Sequence, residues 1–165
     1  MWSLVRKIIE AILKGGGKAK PNKKPKTTKP GCKENCGKLP KTPKSPARRH
    51  DPCKTKGNDP TKERNSMLDP DVDVAGDIDA MKSGNFQKSG NDILVNGRTY
   101  EMHAETGTVY PKSGPGVHQM DRAQHQLLKQ LNSQNLDKAM KFADNFPGLT
   151  PEKVDVVLKL WNKCP

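Results

Sequence analysis

"NDILVNGRTYEMHAETGTVYP", residues 91–111, is the stretch of the 165-residue chain that decides the fold. Asn96-Gly97 separates two runs of strand-forming residues. This dipeptide predicts a two-residue hairpin turn, because both central positions of such a turn need a positive φ. A turn of this length also fixes which residues face each other across the strands. The predicted cross-strand pairs are Val95–Arg98, Leu94–Thr99 and Ile93–Tyr100.

A second turn is predicted at residues 104–107, "AETG", and it extends the hairpin into a third strand. Its predicted pairs are His103–Thr108, Met102–Val109 and Glu101–Tyr110. Side chains alternate between the two faces of a strand, so each turn separately predicts which residues lie on the buried face. That face collects the apolar residues Ile93, Val95, Tyr100, Met102 and Val109. The opposite face carries Glu101, His103, Thr108 and Tyr110. Two separate turn signals thus agree on a three-stranded antiparallel meander.

Helices are predicted on both sides of the meander from the helical spacing of apolar residues. One short helix precedes the meander and ends near Gly84, and three helices follow it. Their apolar positions are Val74, Ile78 and Met81, then Ala123, Leu127, Leu128 and Leu131, then Leu136, Met140 and Ala143, and finally Val154, Val157, Leu158 and Trp161. The folded part is therefore assigned to the α+β class, over residues 66–165.

The junction between the meander and the later helices is predicted as a loop, "PKSGPG", residues 111–116. His118 then lies just before a helix that begins at an Asp121/Gln124 capping box. His125 falls outside the apolar stripe of that helix and is predicted to be solvated; the alternative is that it joins the site, if that edge of the helix faces the cleft.

The excess positive charge of the chain is confined to its N-terminal part. Residues 1–64 hold 19 basic and 5 acidic residues, a net charge of +14, whereas residues 65–165 hold 11 and 13, a net charge of −2. Residues 15–65 are rich in Lys, Pro, Gly and Thr and poor in apolar residues, which predicts a disordered basic linker. The overall charge of +12 favours a nucleic acid or an anionic membrane as a partner.

Residues 1–14, "MWSLVRKIIEAILK", repeat apolar side chains at helical spacing and predict an amphipathic helix. The segment is shorter than the roughly 20 apolar residues of a membrane span and is interrupted by charges. It is expected either to contact a membrane surface, a partner or a carrier protein, or to pack on the folded domain.

The four cysteines leave two possibilities open. Cys32, Cys36, His50 and Cys53 have the ligand types of a structural zinc site. Few apolar residues surround them to pack behind a metal, so free thiols or a disulfide are preferred, and neither a metal nor a cofactor is expected.

The polar face of the meander and the following loop carry the candidate chemistry. RNA cleavage by the 2′-hydroxyl needs one group to take a proton and another to give one, and histidine suits both roles near neutral pH. The expected catalytic residues are His103, His118, Arg122, Thr108 and Tyr110, and the expected phosphate-binding residues are Lys112, Ser113, Gly114 and Gly116. Two alternatives stay open: a non-enzymatic module that binds nucleic acid or protein, and a membrane-active effector.

The stretches "VNGRTYEMH" and "TGTVYPKSGPGVHQMDR", with the basic lead-in, resemble the C-terminal effector domains of bacterial polymorphic toxins on Rhs-type or hemagglutinin-like carriers. The resemblance implies a secreted domain that is delivered into the cytoplasm of a target cell and neutralised in the producer by a cognate immunity protein. It also implies a metal-independent ribonuclease like those of the barnase, EndoU and colicin group, acting on RNA, tRNA included.

Overall fold

The computed structural model describes residues 38–165. The predicted helix at residues 1–14 lies outside the described residues, as do Cys32 and Cys36. Within the described part, no helix is both long and apolar enough to cross a membrane. A short 3₁₀ turn, Arg48–His50, precedes the regular elements. In chain order these are β1 (Arg64–Leu68), α1 (Val74–Lys82), β2 (Gln87–Ser89), β3 (Asp92–Val95), β4 (Arg98–Met102), β5 (Val109–Ser113), β6 (Val117–Asp121), α2 (Arg122–Ser133), α3 (Leu136–Asn145) and α4 (Pro151–Trp161).

The strands form two antiparallel sheets, and the predicted α+β class is confirmed. One sheet has four strands in the order β2-β3-β4-β5, and the other pairs β1 with β6. The helices pack on the second sheet through a cluster of apolar side chains from β1, β6 and α2 to α4, and α1 packs on the first sheet through a separate cluster.

The predicted register of the first hairpin is confirmed: Ile93 faces Tyr100, and Val95 faces Arg98. Asn96 has a φ of 48° and Gly97 a φ of 78°, as the predicted turn requires. The second hairpin pairs Glu101 with Tyr110 and Met102 with Val109, also as predicted. Of the predicted core face, Ile93, Val95, Tyr100 and Val109 are buried, and Met102 is half-buried against them.

The stretch after the meander differs from the predicted loop. Lys112 and Ser113 continue β5, and His118 lies within strand β6 rather than in a loop before a helix. β6 pairs with β1, where Met67 faces His118. The partner strand lies far away in the sequence, so local turn signals could not reveal this pairing. The capping box at Asp121 and Gln124 is confirmed at the start of α2.

Residues 43–63, which we call the cleft wall, pack on the folded domain although the sequence predicts a disordered linker up to residue 65. Buried polar side chains of this segment include His50, Thr55 and Asp59. A disulfide joins Cys53 to Cys164, which lies 111 residues further along the chain. The folded part therefore begins before residue 66. The cleft wall has no apolar periodicity because polar contacts and a covalent bond hold it in place.

Candidate functional site

A cleft of about 1080 Å³ lies where strands of the two sheets meet the cleft wall. Its lining comes from residues 47, 49, 50, 62 and 63 of the cleft wall, from β1, β5 and β6, from the turn between β4 and β5, and from Gln124 of α2. The charged and titratable lining residues are Arg49, His50, Lys62, Glu63, Arg64, His103, Tyr110, Lys112 and Asp121. The cleft thus brings residues together that are far apart in the sequence.

The electrostatic balance inside the cleft is positive. Both lining carboxylates are neutralised: Glu63 pairs with Arg122 at 2.8 Å, and Asp121 pairs with Lys153 at 2.8 Å. Within residues 38–165, none of the three lining cations Arg49, Lys62 and Arg64 forms an ion pair. Arg49 Nη2 donates to Asn65 Oδ1 at 3.2 Å, whereas Lys62 and Arg64 are exposed. The positive charges of all three can attract an anionic ligand to the cleft.

His50 is the functional candidate that sequence reasoning missed. Its Nδ1 lies 2.7 Å from the carbonyl oxygen of Ser66 in β1. A carbonyl oxygen can only accept, so Nδ1 carries the proton and the neutral ring keeps a lone pair on Nε2. Burial lowers the pKa of His50 below its ordinary value of 6.5, which keeps the ring neutral at pH 7. A neutral histidine lining a basic cleft can accept a proton from a ligand.

His103 is distant from His50 in the sequence and follows directly after β4. Its side chain is exposed at the same cleft. Its backbone N–H donates to the carbonyl oxygen of Thr108 at 2.9 Å, which closes the turn on which it lies. The cleft wall is tied to this turn, because Lys44 N donates to the Gly107 carbonyl at 2.9 Å and Val109 N donates to the Lys44 carbonyl at 3.1 Å.

Gly107 is needed where the cleft wall meets the turn. Its φ is 75°, and a Cβ at this position would lie 2.5 Å from the carbonyl oxygen of Thr42. Any side chain would therefore push the backbone at Thr42, which leads into the cleft wall, away from the turn that carries His103.

Four of the predicted site residues line the cleft, namely His103, Thr108, Tyr110 and Lys112. Burial, followed by the hydrogen bond to Glu101, raises the pKa of Tyr110 to about 12, so its hydroxyl keeps its proton and donates it to Glu101. Lys112 differs from the other cations, because it pairs with Asp92 at 2.5 Å and with Glu101 at 3.3 Å.

Five predicted site residues do not line the cleft: His118, Arg122, Ser113, Gly114 and Gly116. His118 is adjacent in β6 to the cleft residue Gln119, and its Nε2 lies 3.2 Å from Asp69 Oδ2. Gly114 is required for packing, since a Cβ there would lie 2.6 Å from the carbonyl oxygen of Gly97. The cleft lining therefore contains His103 and His50 but not His118.

The zinc alternative is contradicted by the disulfide, because the sulfur of Cys53 is bonded to Cys164. His50 also uses Nδ1 to hold the Ser66 carbonyl. Among residues 38–165, no group of three or more His, Cys, Asp or Glu side chains is arranged to hold a metal ion.

The prediction that His125 is solvated is wrong, because the cleft wall and the segment after it cover that face of α2. His125 is fully buried, and its Nδ1 lies 3.0 Å from Thr61 Oγ1. Lys129 Nζ donates to the same Thr61 oxygen at 3.1 Å, so the Thr61 hydroxyl bridges the two side chains on α2. Burial, with a smaller effect of the charges of Lys129 and Arg49, lowers the pKa of His125 to about 4.

The free energy of unfolding should therefore decrease in mild acid. In the unfolded chain His125 binds a proton near its ordinary pKa of 6.5, whereas in the folded protein it stays neutral until about pH 4. The contribution is complete above pH 6.5 and is lost as the pH falls, by about 3 kcal/mol in total. Chemical denaturation between pH 7 and 4 measures this loss. The His125→Asn variant keeps a hydrogen-bond partner for Thr61 without a titrating ring, and its stability should vary less; an equal loss in both proteins would rule out His125 as the source.

Comparisons with protein-family models, with curated proteins and with solved structures found no match to this chain. The function therefore has to be inferred from the geometry of the cleft.

Proposed function

We propose that the cleft binds RNA and cleaves it without a metal, through attack of a 2′-hydroxyl on the adjacent phosphate. The observation that carries the proposal is that His50 and His103 line one cleft together with three cations that have no ion-pair partner in the described part of the chain. A base, an acid and positive charge are the groups that this reaction requires.

His50 acts as the base in this mechanism, because its neutral ring is oriented by the Ser66 carbonyl. It takes the proton of the 2′-hydroxyl while the 2′-oxygen forms a bond to phosphorus. The bond from phosphorus to the 5′-oxygen breaks, and His103 gives a proton to that oxygen. The products are a 2′,3′-cyclic phosphate and a free 5′-hydroxyl.

The cations stabilise the negative charge of the five-coordinate phosphorus intermediate. Arg49, Lys62 and Arg64 supply this charge, and the Thr108 hydroxyl supplies a hydrogen-bond donor beside it. Preorganised donors and charges of this kind are worth several kcal/mol in a transition state, roughly 3 kcal/mol for each good donor.

The net charge of the folded part also supports an RNA ligand, because the folded part begins earlier in the chain than the sequence predicts. Residues 38–165 contain 20 basic and 16 acidic residues, a net charge of +4, whereas residues 65–165 alone carry −2. The added positive charge includes Arg49, Lys62 and Arg64 of the cleft.

The biological setting stays a proposal that follows from the sequence resemblance. An RNA-cleaving domain fits a secreted antibacterial toxin that acts in the cytoplasm of a target cell. A cognate immunity protein would inhibit such a toxin most directly by placing acidic side chains over the cleft.

Incubation of the purified oxidised protein with RNA in EDTA tests the activity. We expect cleavage in the presence of the chelator, fragments that end in a 2′,3′-cyclic phosphate, and no cleavage of DNA of the same sequence, because DNA lacks the attacking hydroxyl. Binding of RNA without cleavage would instead favour the non-enzymatic binding module.

A further inference from the structure

We infer that the Cys53–Cys164 disulfide is a redox latch that holds the cleft wall, and with it His50, in the cleft. The cleft wall supplies Arg49, His50 and Lys62 to the site. Cys53 lies three residues after His50, and its partner Cys164 follows the last helix. The bond therefore ties the catalytic segment to the opposite end of the folded chain.

Hydrophobic burial contributes little to the attachment of the cleft wall. Within residues 38–165, the buried apolar core begins at Met67, after the cleft wall has ended. The buried side chains of the cleft wall itself are polar or proline, such as His50, Thr55 and Asp59. A segment with so little buried apolar area depends mainly on hydrogen bonds and covalent links for its position.

Within residues 38–165, hydrogen bonds also attach the cleft wall to β1, to the β4–β5 turn and to α2. Those near the disulfide go to α2. Asn132 Nδ2 donates to the carbonyl oxygens of Pro52 at 2.7 Å and of Thr55 at 2.9 Å. Lys129 Nζ donates to the carbonyl oxygen of Asp59 at 2.7 Å. Individual hydrogen bonds of this kind stabilise a structure only modestly, whereas the disulfide holds Cys53 covalently to Cys164, which follows the end of the last helix.

The bond can be reached by a reductant, since both Cys53 and Cys164 are only partly buried. A dithiol attacks one sulfur to form a mixed disulfide, and its second thiol then displaces that sulfur. Cys53 and Cys164 gain two electrons and two protons and become thiols, and the dithiol becomes a disulfide.

Reduction releases the cleft wall while the sheet and helices keep their own apolar cores. The consequence for RNA rests on the proposed function: without a fixed His50 the cleft loses its base and part of its positive charge. In a reducing compartment the oxidised protein would then cleave RNA only until the latch opens.

Amide hydrogen exchange of the full chain, oxidised and reduced with dithiothreitol, tests the latch without reference to activity. We expect exchange at residues 43–63 to become at least tenfold faster on reduction, while the β3–β4 hairpin stays protected. The Cys53→Ser/Cys164→Ser double variant isolates this bond from Cys32 and Cys36, and it should exchange fast at residues 43–63 with or without the reductant. Equal protection of this segment in all samples, or loss of protection throughout the domain, would overturn the latch.

RNA cleavage measured on the same samples separates this inference from the proposed function. The latch predicts that kcat/KM falls at least tenfold on reduction and in the double variant. Cleavage that is unchanged by both treatments overturns the latch even if the oxidised protein is a ribonuclease. Faster exchange at residues 43–63 in a protein that never cleaves RNA supports the latch and refutes the ribonuclease.

Discussion

His50→Asn should lower kcat/KM for RNA cleavage by about two to four orders of magnitude, the usual contribution of a positioned acid or base. Asparagine can still donate from its amide to the Ser66 carbonyl, which His50 Nδ1 contacts at 2.7 Å. The variant therefore keeps the anchor of the side chain and removes only the proton acceptor. His103→Asn should cause a loss of similar size, because it removes the acid.

His118→Asn is the matched control for these two variants. His118 contacts Asp69 and does not line the cleft, so its replacement should change the cleavage rate less than about twofold. The opposite pattern, with loss of cleavage in His118→Asn and retention in His50→Asn, would show that the cleft is not the catalytic site.

The pH dependence of wild-type cleavage gives a second signature of His50. A base works only when it is unprotonated, and burial lowers the pKa of His50 below 6.5. The acid limb of the kcat/KM profile should therefore lie below pH 6.5 and should be absent from the residual activity of His50→Asn.

Asp77→Asn should lower the free energy of unfolding by about 3–5 kcal/mol, the usual cost of removing one partner from a buried ion pair. Asp77 is fully buried on α1 and is the point at which this helix is joined to the β3–β4 hairpin. Its carboxylate accepts from Arg98 Nε and Nη2, both at 2.7 Å, from Asn96 Nδ2 at 2.8 Å and from the Tyr100 hydroxyl at 2.5 Å.

The size of this effect follows from what the substitution leaves behind. Asparagine has no negative charge to pair with the Arg98 guanidinium. Its amide NH₂ also replaces one carboxylate oxygen, so a donor would face the donors that Asp77 now accepts from. The hydrogen bond to Asp77 is also the main reason why the pKa of Arg98 is raised, so the guanidinium stays charged in the folded state.

Denaturant unfolding followed by circular dichroism measures the change. The matched control is Asp79→Asn on the same helix, where an exposed carboxylate makes only a 3.8 Å ion pair with Lys82. Its effect should stay below about 0.5 kcal/mol. A loss below about 1 kcal/mol for Asp77→Asn would mean that the buried pair does not join the helix to the hairpin.

The local part of the fold could be predicted from the sequence because its signals are local. A two-residue hairpin turn needs a positive φ at both central positions, and Asn96-Gly97 meets this requirement. The turn then determines the strand register and the buried face. The capping box at Asp121 and Gln124 could likewise be recognised from a segment of four residues. Three residues of the predicted site, His103, Thr108 and Tyr110, followed from this register, since the face that carries them opens on the cleft.

The non-local part could not be predicted, because its contacts leave no periodic pattern. β1 and β6 are distant in the sequence, and because they pair, His118 lies in a strand rather than in the predicted loop. The cleft wall resembles a linker in composition, yet polar contacts and the Cys53–Cys164 bond hold it in place. For this reason the sequence did not indicate His50 as a site residue. It also predicted that His125 is solvated, although the cleft wall buries that side chain.

Binding of a non-cleavable RNA, followed through the histidine side chains by NMR, tests the central claim most directly. The chain has four histidines, so their ring signals can be assigned with single variants. A short 2′-O-methyl RNA keeps the phosphates but lacks the attacking hydroxyl. We predict that its addition to the oxidised protein shifts the signals of His50 and His103 and leaves those of His118 and His125 in place. Shifts confined to His118, or no shift at His50 and His103 when the RNA is bound, would contradict a catalytic cleft between the cleft wall and the two sheets.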